Sequence, residues 1–176
     1  SIILCANGLV RSTGANTFGQ RGLGHNNNVD SMANVLGLDS IISIASGDDH
    51  NLALDAHGHV WSWGKNSSGE LGLGHVNNSS SPEIISTLPI ITKIFAGYKS
   101  SFALALNGEV YAWGNNRFGQ LGNGNTDHQL MPVVIGHHFV NIAVGAFHSM
   151  AINNVGQAYV WGTNTKGVLG ISEKQA

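Results

Sequence analysis

The chain has 176 residues, 24 of them glycine, with a formal net charge of −2 and only 10% charged side chains. Hydrophobic residues make up 42%, enough for a packed core and against wholesale disorder. The eight Lys and Arg are scattered without a basic stripe for sequence-independent nucleic-acid binding, and no apolar run approaches the roughly 18 residues of a membrane span.

Taken in chain order, the apolar runs are short and separated by glycine turns, which predicts strands. IILCA (2–6) and LVRST (9–13) open the chain. IISIASG (41–47) leads into HNLALD (50–55), which alternates with period two as a half-buried strand does. A turn at Gly58 then brings in a strand ending on Trp63, and EIIST (83–87) supplies another. The same series recurs as TKIFAG (92–97), SFALAL (101–106), a strand ending on Trp113 and MPVVI (131–135). It begins a third time with NIAVG (141–145), HSMAIN (148–153) and a strand ending on Trp161. Helix-length periodicity is absent.

This is an internal repeat. Trp63-Gly64, Trp113-Gly114 and Trp161-Gly162 mark equivalent points, with Thr13-Gly14 at the matching place in the first copy; the spacings are 50, 50 and 48 residues. Each anchor is followed by Gly-x-Asn-x-x-Gly, as GANTFG, GKNSSG, GNNRFG and GTNTKG. Leu-Gly comes next at 71–72, 121–122 and 169–170, whereas the first copy has Arg21-Gly22. The copies divide the chain into a partial, degenerate first repeat (1–46), two repeats (47–96 and 97–144) and a C-terminal partial repeat (145–176).

Four short antiparallel strands cannot bury both faces alone, so the units must stack, and radial stacking makes an all-β propeller. The strand count predicts three complete four-stranded blades and a two-stranded remnant at the N-terminus, an open part of a ring. Trp63, Trp113 and Trp161 are expected between neighbouring blades, each burying about 150–250 Å². Gly64, Gly114 and Gly162 are expected in tight turns, and Asn66, Asn116 and Asn164 on loop backbone.

The stretches GDDHNLALDAHGHVWSWGKNSSGELGLG and GYKSSFALALNGEVYAWGNNRFGQLGNG resemble the regulator-of-chromosome-condensation repeat over nearly the whole chain. The resemblance implies a propeller, seven-bladed in the founding member, which is the nucleotide-exchange factor for the small GTPase Ran. At this period seven blades need about 350 residues, so the chain, which opens on Ser1, reads as an excised piece of a longer protein. An open arc exposes strand edges and invites self-association or a covering partner.

No residue pattern here points to bond-breaking chemistry, a cofactor or a metal. Gly64 to Gly69 lacks the Lys-Ser/Thr that makes a phosphate loop, since Glu70 follows. His50 and His148 hold the same turn position two repeats apart, which places them around a ring rather than in a ligand cluster. A bond from each to its turn backbone is the expectation. The pairs His57/His59 and His137/His138 are expected to face solvent, and no catalytic triad is visible. Cys5 stands alone, so an internal disulfide is excluded and a reducing compartment, cytoplasmic or nuclear, is expected.

The resemblance does imply a working rim. The exchange factor has an acidic residue just before a turn histidine and a histidine in the matching turn two repeats later. These roles fall on Asp49, within Gly47-Asp48-Asp49-His50, and on His148, with Asp48 beside them. The alternative is that Asp48 and Asp49 only cap their turn. The exchange factor's projecting hairpin wedge has no counterpart, because Gly14 to Gly19 is as short as the matching loops, and its basic tail is absent too. Three functions follow as expectations: a module that engages and activates a Ran-like or Rab-like small GTPase; a non-catalytic recognition propeller of a larger protein such as a ubiquitin ligase; or a bacterial effector that binds host GTPases in the host cytoplasm.

Overall fold

The computed structural model describes residues 1–170. Fourteen strands form four antiparallel sheets among them, with one turn of 3-10 helix at Thr165–Gly167 and no α-helix. The first sheet holds β1 (Ile2–Leu4), β2 (Val10–Ser12) and β3 (Ala33–Asn34). The second holds β4 (Ile41–Ser46), β5 (His50–Asp55), β6 (Val60–Gly64) and β7 (Ser79–Ile84). The third holds β8 (Ile91–Ala96), β9 (Ser100–Ala105), β10 (Glu109–Gly114) and β11 (Gln129–His137). The fourth holds β12 (Phe139–Val144), β13 (His148–Asn153) and β14 (Ala158–Gly162).

Sheet order follows chain order, and β1, β4, β8 and β12 pack in succession, so the sheets fan as an open propeller arc. Two complete four-stranded blades thus sit between two three-stranded ones. The N-terminal remnant gains β3, and no fourth strand of the last set lies among the described residues. The strand expected at 83–87 begins earlier, at Ser79, because its pairing with β6 runs from Gly64↔Ser79 to Trp61↔Ile84, leaving Ile85 to enter the core.

Three apolar clusters fill the three junctions between sheets. Each contains an indole: Trp63 between the first and second sheets, Trp113 between the second and third, and Trp161 between the third and fourth. Trp63 and Trp113 are fully buried, while Trp161 is partly exposed. Each indole N–H donates across the junction to a carbonyl of the preceding blade: to Gln20 O at 3.1 Å, Glu70 O at 2.9 Å and Gln120 O at 2.8 Å. The same three carbonyls accept a second bond, from Asn51 Nδ2 at 2.7 Å, Ser101 Oγ at 2.9 Å and Ser149 Oγ at 2.8 Å. A bond of this kind matters most where water is excluded, since an unpaired indole N–H there would cost about 1–3 kcal/mol.

This junction explains two glycines of the motif. Gly72 follows the carbonyl of Glu70 at φ +71°, and a Cβ on it would stand 2.9 Å from Trp113 Nε1. Gly22 and Gly122 meet Trp63 and Trp161 in the same way. Gly114, at φ +98°, lies under the preceding turn, where a Cβ would come within 2.6 Å of Lys99 O; Gly64 and Gly162 repeat this against Asp49 and Phe147. The asparagines staple the loops that carry the acceptor carbonyls. Asn66 is fully buried, accepts from Leu71 N at 2.9 Å and donates to His75 O and Asn77 O; Asn16 and Asn116 make matching bonds, and Asn164 accepts from Leu169 N at 3.1 Å.

His50 departs from expectation. Its ring lies over its own turn but bonds across to the next sheet rather than to the turn backbone, with Nε2 2.9 Å from Ser101 Oγ. That hydroxyl donates to Glu70 O, so it accepts from Nε2–H, which places the proton of the neutral ring on Nε2. Gly47 makes room for the ring, since a Cβ there would overlap it. Burial pushes the imidazole pKa down to about 4. The degenerate first copy is also accommodated: Arg21, at the position of Leu71 and Leu121, is buried and donates to the carbonyls of Ser12, Val29 and Ser31.

Two outcomes follow. Trp113→Ala should cost about 3–5 kcal/mol, the usual range for a buried aromatic, and Trp161→Ala should cost less, as read by urea unfolding. A depressed folded pKa means that His50 must be neutral in the native state. Its contribution is complete above pH 6.5, shrinks as pH falls toward about 4 and is gone below that. Over that interval the native chain should lose about 3 kcal/mol more stability than His50→Gln, measured by unfolding at each pH.

Candidate functional site

The turns entering β5, β9 and β13 lie side by side along one rim, joined where Asp48 N–H donates to Tyr98 O at 3.0 Å. Their flanks repeat, glycine before and His50, Ser100 or His148 after, while the two residues at each tip differ: Asp48-Asp49, Tyr98-Lys99 and Ala146-Phe147. The scaffold is thus constant and the presented chemistry is not.

Asp48 is exposed, and Asp49 is half-buried. The Asp49 carboxylate does not turn back onto its own turn. It accepts from Gln20 Nε2 at 3.1 Å, across the junction, and faces Lys65 Nζ at 3.4 Å. Lys65 in turn lies 4.3 Å above the Phe18 ring centroid. Both partners of the ion pair remain 24% exposed, so water screens it and its worth is at most about 1 kcal/mol. A polar cleft of about 280 Å³ runs beside these groups, lined in part by Gln20, Asp48 and Asp49.

His148 begins β13, with its ring close over Gly145, where a Cβ would stand 2.6 Å from Cε1. It shares the rim with Asp49 but lies two sheets away, with the Tyr98 turn between them. Sequence reasoning passed over what occupies that middle ground. Tyr98, Phe147 and Phe118 form an edge-to-face chain, with centroids 5.9 and 5.0 Å apart. They nonetheless remain 40%, 40% and 46% exposed. Lys99 Nζ sits 5.5 Å from the Tyr98 centroid. The available signal was variation at the turn tips against constant flanks.

The other histidines are elsewhere. His57 and His59 are exposed on the β5–β6 hairpin, and His59 Nδ1 lies 3.0 Å from Asp55 Oδ2. Burial pushes the Asp55 carboxyl up, but bonds from the His59 amide, the Trp61 indole, the His59 ring and the His57 amide outweigh this and hold it below its ordinary value. His137 and His138 are exposed at the β11–β12 turn. Among the described residues no group of three or more His, Cys, Asp or Glu is placed to hold a metal ion, and no helix is long and apolar enough to cross a membrane. What the rim can do is bind: an aromatic centre, acids at one side and an imidazole at the other.

The regulator of chromosome condensation (RCC1) repeat matches residues 57–104 and 107–152, and a second description of the same repeat matches 41–70, 91–120 and 139–168. No curated protein sequence matches the chain. Among solved structures, Prp20p from Saccharomyces cerevisiae is 30% identical with a TM-score of 0.81, covering 97% of this chain and 45% of its own. Human WBSCR16 is 25% identical with a TM-score of 0.79, covering 92% of this chain and 44% of its own. The chain therefore spans a little under half the length of the structures it resembles. Repeat sequence, sheet order and a shared fold agree, and the chain belongs to the regulator of chromosome condensation (RCC1) repeat family.

Proposed function

We propose that the rim carrying Asp48, Asp49, Tyr98, Phe147 and His148 binds a Ran-like small GTPase and promotes release of its nucleotide. The observation that carries this reading is the exposed aromatic centre, flanked by carboxylates and an imidazole, on a rim that the repeats hold rigid. Aromatic side chains at the middle of a contact and charged groups at its edge are the usual anatomy of a protein interface. Prp20p, which shares the fold, has binding properties toward Gsp1p and histones. Exchange on this face needs no covalent step: a carboxylate and an imidazole pressed against a nucleotide pocket compete with the groups that hold phosphate and metal.

A second reading, recognition without exchange, draws support from one feature. Gly14 to Gly19 is as short as the equivalent loops, so no hairpin projects from the rim there.

The test is release of a fluorescent guanine nucleotide from Ran with and without the chain, together with capture of the complex. Asp48→Ala is the cleaner acidic variant, because Asp49 also holds Lys65 and Gln20. Asp48→Ala, Phe147→Ala and His148→Ala should each weaken binding by about tenfold. A complex without faster release would favour recognition alone. Unchanged release with no complex would sink both readings for this GTPase.

A further inference from the structure

At the ends of the sheets opposite the rim, one hairpin is chemically unlike its sisters. β5 starts at the rim turn and ends in the β5–β6 hairpin, about 17 Å away at the rise of an extended strand. The equivalent hairpins all turn on a glycine, Gly8, Gly58, Gly108 or Gly156, at φ +82° to +87°. Around these glycines stand Cys5, Asn7 and Leu9 in the first copy, Ala105, Asn107 and Glu109 in the third, and Asn153, Val155 and Gln157 in the fourth. The second copy has Asp55, His57 and His59, an imidazole on each side of the glycine and a carboxylate beneath.

Asp55 is buried, and its ionised carboxylate has only lone pairs to offer. Oδ1 accepts the His57 and His59 amides at 2.9 Å each, and Oδ2 accepts the Trp61 indole N–H at 3.2 Å. The contact of 3.0 Å between His59 Nδ1 and Oδ2 is therefore a donation from the ring. The proton of the neutral imidazole is fixed on Nδ1, and Nε2 presents its lone pair on a side chain that is 55% exposed. Metal-bound histidines share this arrangement, with one nitrogen held by a carboxylate and the other on the ion. The exposed His57 supplies a second imidazole, its centroid 6.1 Å from that of His59 and its plane tilted by 42°. With metal–nitrogen bonds of about 2.1 Å, two imidazoles on one ion have centroids about 4.5–6.3 Å apart, so the observed spacing fits. The backbone between them is clamped: Gly58 N donates to Asp55 O at 3.1 Å, and Gly58 O accepts from Ile91 N of the next sheet at 2.9 Å. Little ordering is left to be done on binding.

The geometry points to His57 and His59 as an open, two-histidine site for a divalent late transition-metal ion such as Zn²⁺, with water completing the shell. Imidazole donors suit zinc, copper and nickel, whereas Mg²⁺ and Ca²⁺ require oxygen. Asp55 is the positioning residue, since it sets which nitrogen of His59 is free. The site stands at the far end of the sheet from the rim and is independent of any GTPase bound there.

The experiment titrates zinc chloride into the ¹⁵N-labelled chain and follows the imidazole nitrogen resonances. The His57 and His59 signals should shift saturably, and magnesium chloride should leave them in place. His57→Ala and His59→Ala should each weaken zinc binding by about tenfold or more. Both side chains are exposed, so these changes spare the fold. Asp55→Asn keeps an oxygen for the two amides, as Asn153 does for Val155 and Gln157 in the last hairpin. Its amide nitrogen cannot accept from Nδ1, so the His59 proton should move to Nε2 in the metal-free chain and zinc affinity should fall by about tenfold or more. Replacing His137 and His138 together by alanine should leave the titration unchanged. No zinc-dependent shift of the His57 and His59 rings, undiminished affinity in any of the three single variants, or loss of binding on changing His137 and His138 would each overturn the proposal.

Discussion

An indole N–H reaching back one sheet to a backbone carbonyl is the contact around which this chain is organised. The donor must be a tryptophan, because its ring both fills the junction and carries a hydrogen at its edge. The acceptor must stand on a loop held still, which is the work of the buried asparagine. The residue two beyond the acceptor must lack a side chain, because the indole lies against it. One bond thus accounts for Trp, Asn and Gly at fixed distances, and for the motif's recurrence wherever two sheets meet. The second donor to each carbonyl, Asn51, Ser101 or Ser149, varies in chemistry because only a hydrogen at the right height is needed.

That scaffold leaves the turn tips free. The flanking glycines and the Trp-Gly glycine beneath hold the turn backbone, so the two tip residues make few demands on the fold. They carry acids in one copy, Tyr-Lys in the next and Ala-Phe in the third, and the sum is a mixed rim with an aromatic middle. His50 shows the converse. It sits beside an exposed tip, yet its ring serves the junction, with Ser101 as partner and burial keeping it neutral. Its counterpart Ser100 belongs to the same turn position but is too short to reach across.

Departures from the repeat are where junctions acquire individual character. Arg21 replaces a core leucine by folding its guanidinium under three carbonyls, which holds the long loop of the first sheet without a carboxylate. The two-residue shortening before Phe139 removes the connection's leucine, which the two sister junctions keep as Leu38 and Leu88. Each change is local because neighbouring sheets touch only across one junction at a time, as in other stacked repeats.

Much of the architecture was legible from residues alone. Alternating runs between glycine turns predict strands, and tryptophans at a constant spacing predict blades with indoles between them, because period and bulk are properties of the chain itself. The buried asparagines were legible for the same reason, as turn residues recurring in register. What the sequence could not decide depends on contacts between copies. Gly72 meets Trp113 from 41 positions away, and His50 meets Ser101 from 51. Tyr98, Phe118 and Phe147 become one patch only when three loops are brought to the same rim. Local pattern settles which strand a residue joins; only the angle between stacked sheets settles which distant residue it faces.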